Sequence, residues 1–112
     1  MSRNRKPAEQ RASDRIPVGA PATVRWDEEE QSGFLERVNL AGGFVVSPRL
    51  PGLGDYVDLV FTLPGDRRDF RVRGSVVFVE DSPVDRKSGF GTRFERPPVA
   101  LLDAIKNLSR GH

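Results

Sequence analysis

Residues 55–79 read DYVDLVFTLPGDRRDFRVRGSVVFV, two apolar runs of period two on either side of a turn. In the first run Val57, Leu59, Phe61 and Leu63 alternate with Tyr56, Asp58, Val60 and Thr62. Alternation of this length predicts a strand with one face in a core and the other in solvent. Pro64-Gly65-Asp66-Arg67-Arg68 reads as the hairpin turn, with glycine supplying a positive φ. The second run sets Phe70, Val72, Val76 and Phe78 against Arg71, Arg73, Ser75, Val77 and Val79. Gly74 falls on the apolar face and marks a bulge or a close backbone contact.

Toward the N-terminus the pattern recurs over residues 20–26, with Ala20, Ala22, Val24 and Trp26 on one face and Thr23 and Arg25 between. The acidic stretch 27–33 reads as a turn. A strand follows over 34–40, with Phe34, Glu36 and Val38 opposite Leu35 and Arg37. Ala41-Gly42-Gly43 interrupts it, and Phe44-Val45-Val46 starts the next. Residues 48–54 hold Pro48, Pro51, Gly52 and Gly54, which cannot sustain a ladder and predict a loop. Toward the C-terminus a polar loop over 81–88 leads to a last strand, 89–95. Pro97-Pro98 then opens a helix whose apolar face is Leu101, Leu102, Ile105 and Leu108. The outcome is all-β: six short strands, antiparallel by loop length, then one C-terminal helix, in a small barrel or sandwich. The chain shows no internal repeat, no heptads and no low-complexity segment.

The 112 residues have room for one domain. There is no cysteine, which excludes disulfides and thiolate metal sites and points to a reducing, cytoplasmic setting. The polar N-terminus offers no secretory signal, and no apolar run approaches the ~20 residues that cross a bilayer; a soluble protein without membrane insertion is expected. The net charge of +2 is unevenly spread. Residues 1–15 carry Arg3, Arg5, Lys6, Arg11 and Arg15 against Glu9 and Asp14, so the leading arm is positive and the body close to neutral. Residues 1–10 read as a flexible basic arm and 11–112 as the domain. Such an arm is either a solvated tail or a strap that closes over an anion.

Catalysis is not expected. The only histidine is His112, the last residue, so the usual general bases and thiol nucleophiles are missing. No triad, metal-ligand spacing or phosphate-binding loop can be assembled. Gly89-Phe90-Gly91 opens a strand, not a helix, so it cannot cradle a phosphate at a helix N-terminus.

Two clusters remain. Arg11-Ala12-Ser13-Asp14-Arg15 places two arginines four residues apart just before the first strand. Arginine suits the O6/N7 edge of guanine and pairs bidentately with phosphate; two exposed arginines in a tail give the same spacing. In Val38-Asn39-Leu40-Ala41-Gly42-Gly43-Phe44 a polar residue ends a strand and glycines leave the main chain open to a ligand. A plain β-turn has the same composition.

In this order and on this strand pattern, the two clusters resemble the PilZ domain family of bacterial receptors for cyclic di-GMP, whose pattern is RxxxR on a leading loop and D/NxSxxG after the second strand. The resemblance runs from about Gln10 to Phe94 and takes in Leu53-Gly54-Asp55, residues 71–79 and Gly89-Phe90-Gly91-Thr92-Arg93-Phe94. It implies a six-stranded antiparallel barrel with a C-terminal helix. It also implies a ligand site in which Arg11 and Arg15 hold guanine edges and phosphates and Asn39 bonds a guanine edge. Ala41, Gly42 and Gly43 complete that site, with no cofactor besides the ligand. Ala41 stands where the pattern has serine and Phe44 where it has glycine, as though the loop had lost one residue.

The reading that results is a stand-alone signalling domain that binds cyclic di-GMP and relays the signal to an unidentified protein partner, with no DNA or RNA. The alternative is a degenerate PilZ-like adaptor that binds no nucleotide, of the kind the family associates with motility. A general nucleic-acid binder ranks below both, because the body lacks a basic, aromatic-rich face.

Overall fold

A computed structural model describes residues 15–82 and 87–110. Strands β1 (Ile16–Trp26), β2 (Glu29–Val38), β3 (Gly42–Val46), β4 (Tyr56–Phe61), β5 (Phe70–Ser82) and β6 (Lys87–Glu95) precede helix α1 (Val99–Arg110). They close a barrel in the order β1-β2-β3-β6-β5-β4, every neighbouring pair antiparallel. Closure removes the sheet edges over most of the circumference.

The alternating positions fill the interior as predicted in β1 and β4: Ala20, Ala22, Val24 and Trp26 from one, Val57, Leu59 and Phe61 from the other. Phe90 of β6 is fully enclosed, and Leu101, Ala104 and Ile105 bring α1 onto the same core. Leu102, expected on the apolar face of the helix, is only half-buried. Ala104 takes that place because the buried stripe of α1 runs 101, 104, 105.

Three sequence expectations need correction. The acidic stretch 27–33 is mostly strand: β2 begins at Glu29 and pairs Trp26↔Glu29 and Arg25↔Glu30. Asp27, at φ 50, turns the chain. Charged residues sit comfortably in this strand because its outward side chains lie in solvent. Gly42 and Gly43 likewise belong to β3, not to a loop.

The third correction concerns faces. Register shifts at Glu36, between Leu35 and Arg37, and at Val77, between Val76 and Phe78, insert one extra residue in β2 and in β5. Each insertion reverses the side-chain parity beyond it. Leu35 and Val38 therefore both point inward, while Phe34 and Arg37 face out. Phe78 leaves the core face on which Phe70, Val72 and Val76 lie. Gly74 marks a close contact: a Cβ there would lie 2.0 Å from Thr92 Oγ1.

Candidate functional site

The turn between β2 and β3 is built by Asn39. Its Oδ1 accepts from the backbone N–H of Ala41 at 2.8 Å and of Gly42 at 2.9 Å. Its own N–H donates to the Gly42 carbonyl at 2.8 Å, and the Phe94 N–H donates to the Ala41 carbonyl at 2.8 Å. A short polar side chain that bonds the amides just ahead of it is what makes asparagine a turn residue. The loop is thus pinned both to itself and to β6, with Asn39 only 8% exposed. Ala41 lies at the surface, whereas Gly42 and Gly43 are buried. A Cβ on Gly42 would come within 1.9 Å of the Thr92 carbonyl oxygen and one on Gly43 within 2.7 Å of Leu35 Cδ1. These glycines admit neighbouring strands, so their bareness is explained by packing.

The two bulges assemble something on the outer face that the sequence did not announce. Arg37 pairs with Phe44, Phe44 with Gly91, and Gly91 with Phe78, a row across β2, β3, β6 and β5. Glycine at positions 89 and 91 leaves a trough in β6. A Cβ at Gly89 would sit 2.6 Å from Phe44 Cζ, and one at Gly91 would sit 2.2 Å from Phe78 Cε2. The two rings enter the trough from either side and stack, centroids 5.8 Å apart and planes 20° from parallel. Phe44 is 3% exposed and Phe78 37%.

Each ring carries an arginine. The Arg37 guanidinium lies 4.8 Å from the Phe44 centroid and that of Arg15 lies 5.9 Å from Phe78, within cation–π range. Ile16 pairs with Val38, so Arg15 enters β1 beside the point where Asn39 leaves β2. Burial lowers the pKa of Arg15 below its ordinary value, and the like charge of Arg37 lowers it further. Both effects disfavour the cation and both are relieved by an anion. Among the described residues Arg15 makes no ion pair. Arg37 forms a long ion pair with Glu36, at 3.8 Å, and among the described residues its buried Nε has no hydrogen-bond partner.

The register thus places Arg15 next to the Asn39 turn, and Arg37, Phe44 and Phe78 lie on the same outer face. Arg11 lies outside the described residues. The signal that could have found the added residues was Gly-x-Gly in β6 opposite large aromatics in its neighbours, a small-to-large complement across strands. It was hidden because both bulges change which residues share a face.

A concavity of about 600 Å³ lies elsewhere, between Arg25, Tyr56, Asp58 and Arg73. Its charges are matched, Arg25 to Glu30 at 3.5 Å and Arg73 to Asp58 at 3.3 Å. No helix among the described residues is long and apolar enough to cross a membrane.

The sequence profile of the PilZ domain family matches residues 9–111. Among solved structures the fold is similar to that of the inhibitor of motility (MotI/DgrA) of Bacillus subtilis, with a TM-score of 0.71 and 17% identity. The likeness covers 81% of this chain and 45% of that one, so the chain spans less than half the length of that structure, and at this identity the fold alone is shared. Among curated proteins none matches.

Proposed function

The chain belongs to the PilZ domain family, and from that premise we propose that it binds cyclic di-GMP on the outer face of the barrel and relays its occupancy to a protein partner in the cytoplasm. The observation that carries the reading is the pair of like-charged guanidiniums, Arg15 and Arg37, laid on the stacked rings of Phe78 and Phe44 beside the Asn39 turn. Two phosphates and two guanine edges offer what these cations lack. A guanidinium pairs bidentately with phosphate or with the O6/N7 edge, and its flat face stacks on a base. Each guanidinium already lies over a ring, which lowers the side-chain freedom lost on binding.

In this reading Arg15 is a contact residue, Arg11 joins it from the leading segment as the family pattern implies, and Arg37 supplies the second charge on the barrel. Asn39 acts by holding the turn, with Ala41 at its tip and Gly42 and Gly43 letting the strands close beneath it. Loss of the motif's serine hydroxyl at Ala41 costs one hydrogen bond, roughly 0.5–1.5 kcal/mol.

A second reading has its own observation. Asn39 Oδ1 is bonded to two backbone amides, and Phe44, standing where the family pattern has glycine, fills the trough over Gly89. A loop closed in this way suits an adaptor that meets its partner without nucleotide. Isothermal titration of cyclic di-GMP into the full chain separates the two. Saturable heat that is lost in Arg15→Ala supports the receptor. No heat from a chain shown folded by its thermal transition leaves the adaptor. Binding that ignores guanine and falls steeply with salt would identify a general polyanion site and overturn both.

A further inference from the structure

Strand β5 is longer than the barrel needs. Its residues 70–75 pair with β4, and the ladder ends at Val76, which accepts from the Gly54 N–H and donates to the Asp55 carbonyl, both at 2.9 Å. Beyond that point β5 runs on to Ser82 paired with β6 alone, as far as Ser82↔Lys87. Among the described residues no backbone hydrogen bond reaches the other edge of 77–82. In an antiparallel ladder alternate residues turn their N–H and C=O away from the partner. Among the described residues this stretch therefore presents donors and acceptors in register that no other strand pairs.

Its side chains break the usual alternation. Val77, Phe78 and Val79 are three consecutive large apolar residues, 45%, 37% and 39% exposed. Glu80 and Asp81 follow, and residues 77–82 carry no basic residue. An open edge with apolar side chains on both faces is a template for another strand. The acids select which strand. Two copies of this edge paired with each other would gather four carboxylates on one short ladder, where like charges repel. A segment alternating basic with apolar residues meets both the charge and the exposed valines.

We propose that residues 77–82 of β5 are a docking edge for an extended, basic segment of a partner protein, which adds a strand to the barrel. The inference rests on the part of the functional reading in which the domain acts through a protein, and it does not need nucleotide binding. Phe78 belongs to both surfaces, as the ring under Arg15 and as a residue of the open edge, so a strand seated here reaches the arginine face through one side chain.

The test uses the isotope-labelled full chain and a capped hexapeptide alternating valine and lysine. Two controls accompany it: the same peptide with alternate amides N-methylated, and a valine–glutamate counterpart. Saturable shifts and new amide protection confined to 77–82 are expected with the lysine peptide and with neither control. The double variant Glu80→Lys, Asp81→Lys, with its thermal transition preserved, should exchange the preference to the glutamate peptide. Absence of shifts at 77–82, or an equal response to the N-methylated peptide, overturns the proposal. A dimer in sedimentation that Val79→Lys dissociates gives the edge to a second copy instead. Edge amides already protected in the free chain, and released when Arg3, Arg5, Lys6 and Arg11 are changed to serine, give it to the chain's own N-terminal segment. Titration of cyclic di-GMP is scored separately, so either reading can fail alone.

Discussion

Two surfaces of this barrel carry paired arginines, and they differ in what faces the charge. On the side formed by β1, β4 and β5, Arg25 meets Glu30 and Arg73 meets Asp58, around a concavity of about 600 Å³. On the side formed by β2, β3, β6 and β5, Arg37 and Arg15 lie on Phe44 and Phe78, and the like charge of Arg37 lowers the pKa of Arg15 instead of satisfying it. The hollow looks more like a binding site, yet its charges already have partners in high dielectric, where such pairs are worth little and offer a ligand little. The aromatic face holds Arg15, which makes no ion pair among the described residues, and Arg37, which has only a long contact with Glu36 at 3.8 Å among them, both over stacked rings. A cation without an ion pair among the described residues, Arg15, more than concavity, distinguishes the surface with something to gain from an anion.

The sharpest way to break this comparison is a pair of alanine substitutions read by titration with cyclic di-GMP. Arg15→Ala should lower affinity roughly 10- to 100-fold, the worth of charge-assisted hydrogen bonds. Arg73→Ala should change it by less than about twofold. The reverse order would move the site to the hollow.

Next in size is Gly42→Ala. A methyl group 1.9 Å from the Thr92 carbonyl has to push β3 from β6, and overpacking of this kind costs about 1–3 kcal/mol. Denaturant unfolding should show that loss with no ligand present. A variant as stable as the parent would return Gly42 to the role of an open approach for ligand.

The aromatic floors give a smaller contrast. Phe78→Ala removes the ring under Arg15 and should weaken binding about two- to fivefold, the worth of an exposed cation–π contact. Tyr56→Ala removes the ring 5.6 Å from Arg73 and should leave binding unchanged. Equal effects would show that the rings tune stability and not the ligand face.

The smallest effect belongs to the β4–β5 turn, remote from both surfaces. The Arg68 side chain bonds the Asp66 carboxylate, and the Arg68 backbone N–H adds to it, holding its pKa down to about 2. A depressed carboxylate contributes stability above its ordinary pKa of 3.8 and loses it as pH falls toward 2. Asp66→Asn should therefore melt slightly below the parent at neutral pH, and the two thermal transitions should converge near pH 2. A gap that widened with acid would contradict the sign.

Much of the architecture was legible because the period-two pattern is strong where a strand has one wet and one dry face. Val57, Leu59 and Phe61 declared β4, and Ala22, Val24 and Trp26 declared β1. The extent of β2 was not legible, since Glu29 and Glu30 carry no apolar alternation and extend the strand only by pairing with β1. Of the motif residues, Arg15 and Asn39 stand at the same end of β1 and β2, while Gly42 and Gly43 are packed under neighbouring strands. Phe44 read as a departure from the family pattern, and its contact with Gly89 and Phe78 gives that departure a structural use. Arg37 and Phe78 went unread as neighbours of Arg15 and Phe44 because one extra residue at Glu36 and another at Val77 sets which face they share.

By itself the sequence determined the number and order of strands, the helix that follows them, the absence of cysteine chemistry and the family. Each of these is written in local periodicity, turn residues or composition. Only the tertiary structure decided which side chains share the outer face and where β5 outruns its partner. Those depend on bulges and on register between strands distant in sequence, and a single inserted residue reverses every side chain beyond it.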